Sequence, residues 1–228
     1  MIEQDLLAYE KELNMKGVEF IAGVDEVGRG PLVGPVVAAC CVLPKDFVLD
    51  GLTDSKKLTS RKRDSFYDII MKDAVSVSIG IKGPEVIDEV NIYEATKLAM
   101  MEAIEGLDVR PEHVLIDAMK LEKLDIPSTS IIKGDAKSES IAAASVIAKV
   151  TRDRMMDEVA LKYPEYGFDS HKGYPTKGHV EALYKYGLID GYRKTFEPVK
   201  SIINGSVYYG KKEKKARKRK VERPKVDA

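Results

Sequence analysis

Val75, Val77, Ile79 and Ile81 alternate with Ser76, Ser78 and Gly80, a period of two that predicts a half-buried strand ended by Gly83-Pro84. Ile21-Ala22-Gly23-Val24 is a continuous apolar run of the kind that threads a buried strand into Asp25, and Val36 to Leu43 is another, closed by Pro44. Strands this close in sequence pair antiparallel. His113 to Ile116, ending on Asp117, and Ser130 to Lys133, ending on Gly134-Asp135, are shorter candidates. Helical spacing predicts helices over 3–15, 60–72, 138–161 and 177–186, the last stopped by Gly187. Asn91 with Glu94 forms a capping box for one more, running to about Leu107. Residues 164–176 read as loop, and Asp190 to Val199 closes the domain. Strands alternating with helices give an α/β class.

Three of these strand ends carry acids: Asp25 with Glu26, Asp117, and Asp135. A buried carboxylate without a partner is too costly to be accidental, and strand-end loops of an open α/β sheet build its crevice. The four could therefore converge there, where only divalent cations would relieve their repulsion. Oxygen-only ligands suit Mg²⁺ or Mn²⁺, and two such ions about 4 Å apart activate a water and stabilise the leaving oxygen of a phosphodiester. The bland alternative is that Asp117 and Asp135 cap turns or helices. Neighbouring strand residues face opposite ways, so a shared site requires Glu26 at a strand end or bulge. Gly28-Arg29-Gly30-Pro31 is a turn able to present backbone N–H groups to a phosphate or hydroxyl. Arg61, Lys62 and Arg63 sit in a first helical turn, where the dipole disfavours them, which leaves phosphate contact or a solvated face as readings. His113, His171 and His179 show no zinc spacing with the cysteines, and Met100, Met101, Met155 and Met156 read as core filler.

Composition adds an asymmetry. The 228 residues are 44% hydrophobic and 32% charged with a formal net charge of zero, yet residues 211–228 carry a net +7 on a body of −7. This polycation is too charged to fold alone, and its expected role is nonspecific affinity for nucleic acid through counterion release, or mere solubility. Vicinal Cys40 and Cys41 in an apolar run read as buried thiols of a reducing compartment. The N-terminus has no secretory h-region, and the longest apolar stretch, Leu32 to Leu43, is too short to cross a bilayer. The expectation is a cytoplasmic monomer without membrane contact. Its organisation is a short N-terminal helix (1–17), a catalytic domain (18–200) whose part from about 162 to 200 is helical, and a basic, disordered tail (206–228).

AGVDEVGRGPLVGPVV, DSKKL, LIDAMK, KGDAKSESIAAASVIAKVTRD and SHKGYPTKGH, in this order, resemble the bacterial ribonuclease HII family, from about Ile21 to Val199. The resemblance implies an RNase H-like fold, a mixed five-stranded sheet flanked by helices with a C-terminal helical extension. It implies hydrolysis of the RNA strand of RNA–DNA hybrids and incision at single ribonucleotides in duplex DNA, leaving 3′-hydroxyl and 5′-phosphate ends, with two Mg²⁺ or Mn²⁺ ions. By motif, Asp25, Glu26, Asp117 and Asp135 match the family's metal-binding acids. Gly28, Arg29 and Gly30 match the loop that reads the ribose 2′-hydroxyl, and Tyr174 the tyrosine that stacks at the RNA-to-DNA junction. Ser55 and Lys56 or Lys57 fall near the substrate backbone. The related ribonuclease HIII family lacks the arginine found here as Arg29 and usually carries an added N-terminal domain, for which there is no room before Ile21. Tyr192-Arg193-Lys194-Thr195-Phe196 departs from the family's usual His-Arg-Arg-Ser-Phe string, which puts local phosphate contacts in doubt.

Overall fold

The computed structural model describes residues 5–206, so the basic tail lies outside them apart from Ser206. Helix α1 is Ala8–Met15. It is followed by β1 (Ile21–Val27), β2 (Val36–Val42), a 3-10 turn at Ser55–Lys57, α2 (Ser60–Asp73), β3 (Ser76–Lys82) and α3 (Pro84–Glu105). Then come β4 (His113–Asp117), β5 (Ser128–Ile131), a 3-10 turn at Gly134–Ala136 and α4 (Glu139–Lys162). The chain closes with α5 (Phe168–His171), α6 (Lys177–Tyr186) and α7 (Val199–Ile203). The strands form one sheet in the order β3-β2-β1-β4-β5. The β1–β2 and β2–β3 pairs are antiparallel, and β1–β4 and β4–β5 are parallel. This is the mixed five-stranded sheet that the sequence resemblance implies.

Side-chain alternation divides the core. Ala22, Val24, Ala38 and Cys40 pack under α3, whereas Val37, Ala39 and Cys41 face α2 and the alanines of α4. The small residues at the start of α4 let it approach β1 so closely that a Cβ on Gly23 would lie 2.1 Å from the carbonyl carbon of Ser140. Only glycine fits there. The C-terminal helices build a separate aromatic cluster around Tyr166, Phe168 and Tyr192, which meets the chain after β1 at Leu32 and Val33. Met100 and Met156 are fully buried, as core filler should be, and both cysteines are free and buried. No helix of the described residues is long and apolar enough to cross a membrane.

Four readings need correction. The strand expected at 130–133 ends at Ile131, because Lys133 adopts a left-handed conformation that starts the Asp135 turn. Asp135 thus rides on a 3-10 turn, not on a strand end. Asn91 caps its helix as expected, accepting the N–H groups of Tyr93 and Glu94, but a helical turn begun by Pro84 precedes it. The segment read as loop contains α5, and residues beyond 198 form α7.

Candidate active site

The last β1–β4 pair joins Val24 to Ile116. Asp25 and Asp117 come next on adjacent parallel strands, so both face α4. Glu26 belongs by alternation to the other face, and of the strand end or bulge expected for it no bulge is found, while β1 ends one residue later: the β1–β2 register advances residue for residue from Ala22–Val42 to Val27–Val37. The carboxylates meet nonetheless, because Glu26 lies past the last β4 partner, where its longer side chain can reach round the strand. One oxygen from each of Asp25, Glu26 and Asp117 lies within 4.8 Å of the other two. Asp25 Oδ1 accepts the Glu26 N–H at 2.7 Å, and Asp117 Oδ1 accepts the Gly134 N–H at 2.6 Å. Asp135, one residue on, stands outside this trio but is close enough for its charge to act on Asp25.

The cluster is electrostatically expensive. Burial, then the charges of Glu26 and Asp117, push Asp25 well above the ordinary carboxylate range. Burial raises Glu26 as well, against the Arg29 guanidinium, and burial with Asp54 and Asp117 raises Asp135. Glu26 Oε2 is buried without a hydrogen-bond partner, and Arg29 Nη1 reaches Oε1 of the same carboxylate at only 3.4 Å. Converging carboxylates with an orphaned oxygen fit a hard divalent cation bound through oxygen.

Lys56 stands beside the acids on the 3-10 turn at Ser55–Lys57. Although burial opposes its charge, Asp25, Asp54, Asp135 and Glu26 together hold its ammonium group above the usual lysine value. Lys57 is exposed on the same turn, whereas Ser55 is buried. The turn is held by Arg63, which donates to the carbonyls of Ser55 (3.0 Å) and Leu58 (2.5 Å). Arg63 therefore clamps this turn. Lys62 packs over the Phe66 ring, and Arg61 is exposed.

The Gly28-Arg29-Gly30 loop leaves β1 at once. Gly28 has φ +94°, and a Cβ there would strike Arg152 Nε at 2.3 Å. Two arginines with no exposed surface hold this region from beneath. Arg193 donates to the carbonyls of Gly34 (3.0 Å), Arg29 (3.0 Å) and Gly28 (2.6 Å). Arg152 donates to those of Pro35 (3.0 Å), Lys172 (3.0 Å) and Val33 (3.1 Å). Desolvation, and then the neighbouring Arg152, bring Arg193 down to about 9. Arg193 thus does not serve the phosphate contacts considered for its string; it shapes the loop.

Tyr174 is half-exposed, and a Cβ on Gly30 would sit 3.4 Å from its ring. Loop and tyrosine form one surface. Its backbone is tied down by His179, whose Nδ1 lies 2.9 Å from the Tyr174 carbonyl and whose Nε2 lies 2.9 Å from the Tyr192 hydroxyl. The His171 ring stacks on His179 at 4.4 Å. Burial lowers His179 to about 4. An unfolded histidine takes up its proton near pH 6.5, so stability from neutral His179 is present above that value and is lost as pH falls toward 4. Ring titration by NMR should show His179 neutral at pH 5; a midpoint near 6.5 would contradict this packing.

The profile of the ribonuclease HII family matches residues 22–198. The chain belongs to that family. It is 58% identical over 199 residues to ribonuclease HII of Bacillus cereus strain B4264, covering 87% of this chain and 77% of that protein. It is 56% identical over 203 residues to ribonuclease HII of Bacillus cytotoxicus, covering 89% and 78%. Among solved structures, ribonuclease H2 from Pyrococcus horikoshii OT3 matches with TM-score 0.71 at 28% identity, over 82% of this chain and 98% of the other. Bst-RNase HIII, crystallised in complex with Mn²⁺, matches with TM-score 0.60 at 18% identity, over 89% and 74%, a likeness of fold. The fold is RNase H-like, and the protein is a metal-dependent endoribonuclease of the HII type.

Arg152, Arg193, His179 and Asp54 took no part in the site read from the sequence. Asp54 lies in the quoted DSKKL string, but nothing in its spacing says that it neighbours Asp135. The arginines carry no signal as carbonyl ligands, since an arginine in a sequence reads as a solvated or phosphate-binding cation.

Proposed function

We propose that this ribonuclease HII hydrolyses the RNA strand of RNA–DNA hybrids and incises duplex DNA on the 5′ side of an embedded ribonucleotide, with two Mg²⁺ or Mn²⁺ ions. The convergence of Asp25, Glu26 and Asp117 beside the Gly28–Gly30 loop and Tyr174 carries the reading. Asp25, Glu26, Asp117 and Asp135 would hold the ions. When bound, the ions supply polarisation of the attacking water and relief of charge on the leaving 3′ oxygen.

The protein's own groups do the rest. Gly28, Arg29 and Gly30 bring backbone polar groups to the ribose 2′-hydroxyl, the atom that distinguishes RNA from DNA at one position. Tyr174 offers a ring face beneath the sugar or base next to it. Lys56, drawn to the acids, meets the adjoining phosphate, with Ser55 shaping the turn and Lys57 at its exposed side. Water is kept from the underside of the loop by Arg152 and Arg193. The buried free thiols fit a cytoplasmic protein, and the reading treats it as a monomer.

A labelled RNA–DNA hybrid tests this. Cleavage of the RNA strand with Mg²⁺ or Mn²⁺, ending in EDTA, is expected, with 3′-hydroxyl and 5′-phosphate products. Binding without cleavage would favour a noncatalytic hybrid-binding module.

A further inference from the structure

Helix α1 lies outside residues 22–198, the stretch matched by the family profile, yet it is bonded to the element that follows the Asp135 turn. Glu10 is 6% exposed. Its Oε1 accepts the Ser138 hydroxyl at 2.6 Å and the Ser140 N–H at 3.1 Å. The Leu6 carbonyl accepts the Glu139 N–H at 2.9 Å. These contacts satisfy donors at the start of α4, where a helix leaves its N–H groups unpaired and its dipole favours a negative charge. Ser138 is itself the N-cap of α4, its hydroxyl oxygen accepting the Ile141 N–H at 3.2 Å.

The backbone of the same serine is tied to the turn that carries Asp135. Ser138 N–H donates to the Gly134 carbonyl at 2.9 Å, and Gly134 N–H donates to Asp117 Oδ1 at 2.6 Å. A short relay thus runs from Glu10 through Ser138 and Gly134 to Asp117, with Asp135 carried on the turn between. Packing of α4 on Gly23 fixes how near the helix comes to β1. The relay governs how its first turn, and the turn before it, are set against Asp117. Glu10 keeps its place at a cost, since Oε2 is buried with no hydrogen-bond partner.

We infer that Glu10 is a positioning residue for the metal site, holding the Asp135 turn and Asp117 in register through Ser138. The inference rests on the metal roles proposed above.

The test is Mn²⁺ binding to the full chain, followed by the electron paramagnetic resonance signal of the free ion, with melting temperature in EDTA recorded alongside. Glu10→Ala should weaken Mn²⁺ binding roughly tenfold, the lower end of what losing a supporting partner of a metal ligand costs. Glu10→Gln retains an acceptor oxygen and should bind nearly as the parent does. Ser138→Ala cuts the relay from the other side and should resemble Glu10→Ala. Parental Mn²⁺ affinity in folded Glu10→Ala and Ser138→Ala, even with lower melting temperatures, would make Glu10 a helix cap alone and overturn the inference. Failure of the parent protein to bind Mn²⁺ would instead overturn the metal reading, and this inference with it.

Discussion

Asp25→Asn is expected to reduce single-turnover cleavage of a ribonucleotide-containing duplex by at least about 10³-fold, equivalent to roughly 4 kcal/mol of transition-state stabilisation. Asp25 is the most deeply placed of the acids, with Glu26 on its own strand and Asp117 beside it on the next. An amide keeps the shape and removes the charge. The same replacement should make the metal-free protein more stable at neutral pH. The folded pKa of Asp25 lies above its unfolded value, so the protonated form fits the folded site. Stability from that form is present below about pH 4, the unfolded value, and is lost as pH rises through the folded pKa. Melting in EDTA should therefore separate the two proteins at pH 7 to 8 and bring them together near pH 4. A variant that cleaves at the parental rate, or that melts lower at pH 8 without metal, would contradict this account of Asp25.

The second large effect is expected at Arg193. Arg193→Met exchanges three donors for none and leaves the carbonyls of Gly28, Arg29 and Gly34 without them. Each buried unsatisfied carbonyl costs about 1–3 kcal/mol, offset in part by no longer burying a charge that has no carboxylate partner. A net loss of about 3 kcal/mol corresponds to a fall of roughly 6–12 °C in melting temperature for a chain of this size. Arg193→Lys should rescue little, because an ammonium group cannot reproduce the planar fork that meets three carbonyls. Among molecules that remain folded, the preference for RNA over DNA should drop more than binding to the duplex, since the Gly28–Gly30 loop loses its shape while surface cations remain. Unchanged preference in a folded Arg193→Met protein would show that the loop holds itself.

Much of this was readable from the sequence where local chemistry decides structure. Strict alternation placed β3, apolar runs placed β1 and β2, and Gly187 stops α6 as expected. The small residues of α4 permit its close packing on the sheet, and Gly23 supplies the other half of that contact. What failed depended on partners distant in the chain. Glu26 needs no bulge because β4 ends before it, and strand alternation alone does not reveal where a neighbour stops. Asp135 moved from a strand end to a turn because Lys133 turns left-handed, a conformation that its side chain does not advertise. Nothing in the sequence showed that Arg63, Arg152 and Arg193 turn inward, yet their guanidinium groups serve backbone carbonyls of loops, up to 165 residues away for Arg193 and Gly28. The acids themselves were legible through their motifs. Their convergence took the parallel register of β1 and β4 to demonstrate for Asp25, Glu26 and Asp117.

If the acid cluster cuts nucleic acid where the adjoining loop senses a 2′-hydroxyl, a single ribonucleotide should direct the cut. A DNA duplex carrying one ribonucleotide, incubated with Mg²⁺, Mn²⁺ or EDTA beside an all-DNA control, tests it most directly. The account predicts a single cut on the 5′ side of the ribonucleotide with either metal, none in EDTA and none in the control; equal cutting of the all-DNA duplex, or cutting in EDTA, would contradict it.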